Sequence, residues 1–140
     1  MATIFTKIIE GEIPGTFVWK DDHCVAFMSI NPLRAGHVLV VPRDEVDHWI
    51  DCPPDLRDHL MAVSTTIGEA IQKVHNPRKV GFMIAGLEVP HLHIHLVPID
   101  GVHDLDFANA ATSVDRDELE EEAVSLRHVL TSTGADGVAD

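Results

Sequence analysis

Three histidines alternate with aliphatic residues in the stretch VPHLHIHLVP, residues 89–98. Side chains two residues apart on an extended strand point to the same face, about 6.6 Å from one another. This spacing predicts one shared face for His91, His93 and His95, and it directs the intervening aliphatic side chains into a core on the other face. Three neighbouring imidazoles on one strand could take part in binding or catalysis, and three kinds of site are compatible with the pattern.

The three readings are a polar strand face, a metal site and a catalytic site. Neutral imidazole is a common zinc ligand, and a fourth ligand would come from His37, His103 or Glu88. In a catalytic site, neighbouring imidazoles lower one another's pKa, so at least one is neutral at pH 7 and able to act as a nucleophile. A histidine nucleophile suits transfer at phosphorus through a covalent phospho- or nucleotidyl-histidine. The pattern favours catalysis and leaves the other two readings open.

Strand patterns surround the histidines along the chain. The segments FVWKDD and HCVAFMSI indicate a hairpin over residues 17–30, and HVLVVP (37–42) is typical of a central strand. The segment KVGFMIAG (79–86) returns to strand character just before the histidines. These segments predict a mainly antiparallel sheet.

Helical patterns account for most of the remaining residues. A short helix is predicted within residues 5–15, and apolar residues at three- and four-residue steps predict a long amphipathic helix within 51–76. Asp115 and Glu118 have capping-box spacing, so a last helix is expected to begin there. Because helices and strands are segregated, the fold class is α+β.

Composition limits the classes of function. The chain has 140 residues, of which 45% are apolar, and this suits one compact domain, assigned to residues 1–130 with a flexible tail at 131–140. The net charge of −13 argues against non-specific binding to nucleic acid or anionic membranes. Two unpaired cysteines, no signal-peptide pattern and no membrane-length apolar run predict a soluble protein of the reducing cytoplasm.

The segment HLHIHLV (91–97) fits the signature His-φ-His-φ-His-φ-φ, with φ apolar, at every position. Two further segments, FTKIIEGEIPG (5–15) and VAFMSINPLRAGHVLVVPRDEVDHW (25–49), resemble two blocks of the family that carries this signature. By these three segments in this order the chain resembles the histidine triad (HIT) superfamily over residues 3–98. The resemblance implies a five-stranded antiparallel sheet with one long helix and a C-terminal helix, paired into a homodimer.

The resemblance also implies a site. His93 would be the nucleophile, His95 would contact the phosphate and the leaving group, His91 would orient the site, and His37 would lie beside the nucleophile. The base of a nucleotide, in the first instance a purine, would lie among apolar side chains. These are Ile4, Phe5, Ile8, Ile13, Phe27, Ile30 and Leu39.

The chain departs from the family pattern at several positions. Ser29 stands where an acidic residue commonly holds the ribose, and Glu88 stands in the short pre-triad connection where a phosphate-contacting pair is common. A carboxylate there would repel phosphate unless it binds a cationic leaving group. Thr3 and Thr6 replace the Cys-x-x-Cys of a zinc-binding branch, and the pair Asp106-Phe107 has no assigned role.

With this resemblance, we expect a hydrolase of nucleoside monophosphate conjugates, of the phosphoramidate type, that works through an adduct on His93 with no cofactor and no metal. One alternative is a dinucleoside polyphosphate hydrolase. The other is a nucleotide- or metal-binding interaction protein with little turnover.

Overall fold

Residues 2–140 are described by a computed structural model of the chain. A five-stranded sheet has the order β1-β2-β3-β5-β4, and every neighbouring pair is antiparallel. Its strands are β1 Phe17–Lys20, β2 Cys24–Met28, β3 Val38–Pro42, β4 Lys79–Met83 and β5 Ile94–Ile99.

Three α-helices accompany the sheet: α1 Ile4–Ile9, α2 Pro54–His75 and α3 Arg116–Ser132. Single-turn 3-10 helices lie at Trp49–Asp51, Val102–Leu105 and Phe107–Asn109. The predicted α+β class with an antiparallel sheet, one long helix and a C-terminal helix is confirmed. Within residues 2–140, none of the helices combines the length and the apolar character that crossing a membrane requires.

The long helix begins and ends where its sequence requires. Pro54 occupies the first helical position, where the missing N–H has no intrahelical partner to lose, and Asn76 ends the helix in a left-handed conformation with φ of 49°. Asp115 caps α3 by accepting from the N–H of Asp117 at 2.8 Å. Between these ends, the buried apolar side chains of both helices belong to the main core.

The main core lies between the sheet and helices α2 and α3. Leu92, Ile94 and Leu96 belong to this core, as the alternation of residues predicts. Helix α1 covers the opposite face of the sheet, where Phe5 packs with a second cluster that includes Phe27. The histidines lie on this second face, beside α1.

The regular part of the triad strand is shorter than its pattern predicts. β5 begins at Ile94, so only His95 of the three histidines is within it, and the connection from β4 spans residues 84–93. The backbone of the preceding residues is bonded elsewhere, since the N–H of Leu92 donates to the carbonyl of Val46 at 2.7 Å. The histidines still share a face, because Leu92 stays in the core.

Residues 131–140, expected from the sequence to be a flexible tail, begin within the last helix. Helix α3 continues to Ser132, and the chain then returns to β1. The N–H of Lys20 donates to the carbonyl of Gly137 at 2.8 Å, and the N–H of Ala139 donates to the carbonyl of Val18 at 3.1 Å. Gly137 permits this approach, because a Cβ there would lie 2.3 Å from the indole of Trp19.

Candidate active site

The imidazole of His93 is held in one tautomer by the backbone. Its Nδ1 lies 2.8 Å from the carbonyl oxygen of His91, and because a carbonyl only accepts, Nδ1 carries the proton. The neutral ring therefore keeps its lone pair on Nε2. Burial lowers the pKa of His93 below its ordinary value, so this neutral form prevails at pH 7. His93 is 8% exposed, and its Nε2 carries an unprotonated lone pair in a fixed orientation.

A second pair of imidazoles is ordered by a backbone donor. The N–H of Leu33 donates to Nδ1 of His37 at 3.0 Å, so the proton of His37 lies on Nε2. That Nε2 lies 3.0 Å from Nδ1 of His95 and donates to it. The proton of neutral His95 must then lie on its own Nε2. Burial lowers the pKa of His37 to about 3 and that of His95 to about 4. His95 is therefore a neutral hydrogen-bond donor next to His93, with ring centroids 4.9 Å apart.

The turn before β3 positions His37. Gly36 has φ of +96°, a conformation that side-chain-bearing residues rarely adopt, and a Cβ there would lie 2.6 Å from Nε2 of His75. His75 is in turn bonded to Glu122 of α3 at 2.8 Å. The N–H of Ser29 donates to the carbonyl of His37 at 3.0 Å. Packing against both long helices thus fixes the backbone that carries His37.

His91 is fully buried and has both ring nitrogens engaged. Its Nε2 donates to the carbonyl of Pro42 at 2.7 Å, and its Nδ1 lies 2.6 Å from the hydroxyl of Thr3. The ring has no free nitrogen for a ligand. The contribution of His91 to the site is its carbonyl oxygen, which binds Nδ1 of His93.

Two phenylalanines flank the histidines. The ring of Phe5 meets His93 edge-on with centroids 4.8 Å apart, and Phe107 meets His95 in the same way at 5.2 Å. Phe107 is 48% exposed and lies on a single-turn 3-10 helix after β5. The sequence analysis assigned no role to the pair Asp106-Phe107. In the structure, Phe107 packs against His95, the last histidine of the triad.

The residues predicted to hold the base divide into two groups. Phe5, Phe27 and Leu39 are buried in one cluster with Ile8 packed against them. Ile4 and Ile30 are 47% and 55% exposed, and Ile13 is half-buried. The buried members form a floor beside the histidines, whereas the exposed members lie at the surface.

Ser29 and Glu88 are two of the departures from the family pattern. The Oγ of Ser29 accepts from the N–H of Asn31 at 3.2 Å, so part of its bonding capacity is used locally. Glu88 is exposed, and among residues 2–140 it has no ion-pair partner. The negative charge of Glu88 slightly raises the pKa of His93, against the larger effect of burial, because a nearby anion favours the protonated imidazole.

A group of potential metal ligands lies away from the triad. Asp21, Cys24 and His59 bring donor atoms within 4.8 Å of one another, between the β1–β2 turn and α2. Burial alone would raise the pKa of Asp21, but hydrogen bonds from Trp19, from two backbone N–H groups and from His59 lower it. Asp21 accepts all of these bonds, and the bond from His59 ties the hairpin to α2. Cys24 is a buried thiol with a raised pKa.

An apolar groove lies on the other side of the sheet from His93. It has a volume of about 390 Å³, and Leu92 and Ile94 form its floor. Trp49, Met61 and Phe82 line it with half of their surface exposed. The groove runs along β4, which is the last strand of the sheet on that side.

A histidine held by a backbone carbonyl, beside a hydrogen-bonded imidazole pair on a five-stranded antiparallel sheet, is the arrangement of the histidine triad class. The HIT domain profile matches residues 10–102, which is more than half of the chain. The chain therefore belongs to the HIT family, and the resemblance found in its sequence is confirmed.

Curated relatives include proteins with and without an assigned activity. An uncharacterised HIT-like protein of Methanocaldococcus jannaschii is 36% identical over 122 residues, which cover 83% of this chain and 94% of the relative. Adenosine 5′-monophosphoramidase HNT1 of Saccharomyces cerevisiae is 32% identical over 98 residues, covering 69% of this chain and 62% of the yeast protein. Adenylylsulfatase HINT3 of Arabidopsis thaliana is 30% identical over 100 residues, covering 68% and 51%. The family thus includes hydrolases.

Solved structures share the fold over nearly the whole chain. A Hit-like protein of Bartonella henselae, described as involved in cell-cycle regulation, aligns with a TM-score of 0.81 and 28% identity, covering 91% of this chain and 96% of that chain. A zinc-bound histidine triad family protein of Mycobacterium smegmatis aligns with a TM-score of 0.79 and 25% identity, covering 95% and 96%.

Proposed function

We propose that the protein hydrolyses nucleoside monophosphate conjugates of the phosphoramidate type at the α-phosphate, through a nucleotidyl adduct on His93. The observation that carries this proposal is the 2.8 Å hydrogen bond from Nδ1 of His93 to the carbonyl of His91. It leaves a lone pair on Nε2 of a ring that is neutral at pH 7, which is what nucleophilic attack on phosphorus requires.

In the first step, Nε2 of His93 attacks phosphorus and a P–N bond to the ring forms, while the P–N bond to the amine breaks and the amine nitrogen takes up a proton from solvent. In the second step, water attacks phosphorus, the bond to Nε2 breaks, the proton of the water returns to solvent and the nucleoside monophosphate leaves. One water is consumed overall, with its hydroxyl on phosphorus and, through solvent, its proton on the amine. His95 donates from Nε2–H to a phosphate oxygen, where charge accumulates.

The nucleoside would lie against the buried floor of Phe5, Phe27 and Leu39, with a purine as the first candidate for its base. Ser29 would offer the ribose a single hydroxyl in place of a carboxylate. Glu88, exposed and near His93, would attract a positively charged amine on the leaving group and repel a polyphosphate. This charge favours a phosphoramidate over a dinucleoside polyphosphate.

The working unit would be a homodimer. The groove along β4 exposes Trp49, Met61 and Phe82 next to a strand whose outer side pairs with no other strand among residues 2–140. A second copy placed on this face would cover the apolar groove and pair β4 with β4. Apolar patches of this kind on soluble proteins mark interaction surfaces.

A binding protein with little turnover is the second candidate. It is favoured by the local engagement of Ser29 with Asn31 and by the negative charge of Glu88 beside the proposed phosphate position. Under this alternative, nucleotide binding would survive in the protein and the adduct on His93 would not form.

The test compares wild type with His93→Ala on adenosine phosphoramidate in the presence of EDTA. We expect turnover in wild type and its loss in the variant, with a trapped adenylyl adduct on wild type alone. His128→Ala, which removes an exposed histidine of α3, is the matched control and should keep wild-type activity. Equal rates in wild type and His93→Ala would reject the nucleophile, and binding without turnover in wild type would favour the second candidate.

A further inference from the structure

The N-terminal turn of α1 is bonded directly to the triad. The hydroxyl of Thr3 lies 2.6 Å from Nδ1 of His91, and Thr3 is also the N-cap of α1, accepting from the N–H of Thr6 at 3.1 Å. These residues lie 88 positions apart in the chain. The contact therefore joins the first helix to the segment that carries the nucleophile.

The direction of each hydrogen bond follows from the groups involved. The carbonyl of Pro42 only accepts, so the proton of neutral His91 lies on Nε2, and Nδ1 must accept. The hydroxyl of Thr3 is the donor that reaches it. Because that hydroxyl has one proton, its oxygen can still accept from the N–H of Thr6, and both bonds exist together.

Glu45 completes the arrangement from the loop after β3. Its carboxylate accepts from the hydroxyl of Thr6 at 2.6 Å and from the N–H of Thr3 at 2.9 Å. These two bonds lower the pKa of Glu45, the bond from Thr6 contributing most. The carboxylate thus restrains the backbone of Thr3. It also accepts the hydroxyl proton of Thr6, so this proton does not point at the hydroxyl of Thr3.

We propose that Thr3, Thr6 and Glu45 are positioning residues that lock His91 as the Nε2–H tautomer and so hold the His91 carbonyl against Nδ1 of His93. The consequence is that α1 controls which nitrogen of the nucleophile is free. If the ring of His91 loses these bonds and the residue shifts, its backbone carbonyl moves as well. His93 then loses the hydrogen bond that keeps its lone pair on Nε2. The link to catalysis rests on the proposed function, whereas the tautomer of His91 does not.

The first experiment reads the tautomer directly. Two-dimensional NMR of the imidazole nitrogens of wild type should show His91 with its proton on Nε2 and an accepting Nδ1, and His93 with its proton on Nδ1. In Thr3→Val the two rings should show mixed tautomers, and Thr3→Ser should restore the wild-type pattern. A proton on Nδ1 of His91 in wild type would overturn the proposal without any variant.

The second experiment reads the reaction. Thr3→Val should lower kcat about tenfold or more with little change in KM, since geometry rather than binding is lost, and Thr3→Ser should recover kcat. Glu45→Gln keeps an acceptor oxygen without the charge and should give a smaller loss. Asp115→Ala removes the cap of α3 in the same way and should leave kcat unchanged.

Unchanged kcat and unchanged tautomers in a folded Thr3→Val would contradict the proposal while wild-type turnover upholds the proposed function. Absence of turnover in wild type, with the His91 tautomer as expected and lost in Thr3→Val, would instead reject the proposed function and retain the positioning role.

Discussion

Nε2 of His37 donates to Nδ1 of His95 across 3.0 Å in the interior of the protein. The direction of this bond is fixed by the N–H of Leu33, which occupies the other nitrogen of His37. Two buried neutral rings thereby present one N–H at a defined point beside His93. Burial is the largest cause of the lowered pKa of each ring, so the pair remains neutral well below pH 7.

The rate should depend on pH through His93. Its pKa is lowered by burial, so the acid limb of kcat/KM should have its midpoint below the ordinary value of about 6.5. The rate falls as pH drops through this midpoint, because the protonated ring has no lone pair on Nε2. The check is a pH profile of single-turnover adduct formation.

Glu88→Gln supplies the matched variant for that profile. The charge of Glu88 favours protonated His93, so its removal should move the acid limb slightly further toward low pH. A midpoint that moves toward neutral pH would contradict the assignment of the limb to His93.

Stability should fall on acidification, and His37 should account for part of the loss. The pKa of His37 is about 3 in the folded chain and about 6.5 when unfolded, so the unfolded chain takes up the proton first. The free energy of unfolding then decreases as pH falls from about 6.5 to about 3. In His37→Asn the loss between pH 7 and pH 5 should be smaller by about 2 kcal/mol.

Urea unfolding of wild type and His37→Asn at the two pH values measures this difference. The comparison uses the change with pH in each protein, so a lower stability of the variant at pH 7 does not affect it. Parallel pH dependence in the two proteins would show that His37 does not resist protonation.

Gly36→Ala should destabilise the protein and disturb His37. The change places a Cβ at φ of +96° and 2.6 Å from Nε2 of His75, so it combines backbone strain with a steric clash. Gly134→Ala is the control, because Gly134 has φ of +79° with nothing within 4 Å of its Cβ position. We expect a cost of about 1 kcal/mol for the control and a larger one for Gly36→Ala.

Chemical unfolding of the two variants at one pH measures both costs. Equal costs would mean that the side chain of His75 moves away freely, and that its bond to Glu122 does not restrain the turn.

Phe82→Arg should dissociate the proposed homodimer. Phe82 of β4 lines the groove and is 45% exposed, and a charge there would oppose burial against a second copy. Sedimentation velocity should show wild type as a dimer and the variant as a monomer. Val124→Arg changes a residue of α3 with 52% exposure in the same way, and it should leave the dimer intact. A wild-type protein that sediments as a monomer would reject the assembly.

The fold was predictable because its signals are local. Apolar periodicity located α2 and α3, and alternation of residues placed Leu92, Ile94 and Leu96 in the core. The start of β5 was not predictable in the same way, since the backbone of Leu92 bonds to Val46 rather than to a neighbouring strand. That competition between partners has no signature in the alternating pattern.

The site was predictable only in its histidines. The roles of His93, His95 and His37 stay predictions, but their proximity follows from the triad spacing and from the resemblance. The contacts of Thr3 with His91 and Glu45 bridge 88 and 42 positions, and each residue alone looks like an ordinary helix cap or surface acid. The connection of Thr3 and Glu45 to the triad is visible only in the tertiary structure.

The return of residues 137–139 to β1 limits how this protein can associate. Main-chain bonds from Gly137 and Ala139 occupy the outer side of β1 at Val18 and Lys20, so a foreign strand finds no continuous row of partners there. Within the described residues, 2–140, the β4 side of the sheet is the one left to extend, and an interface that pairs identical strands about a two-fold axis uses up both copies of it. Assembly through the sheet would stop at two copies, which would protect this acidic protein from polymerising into fibres.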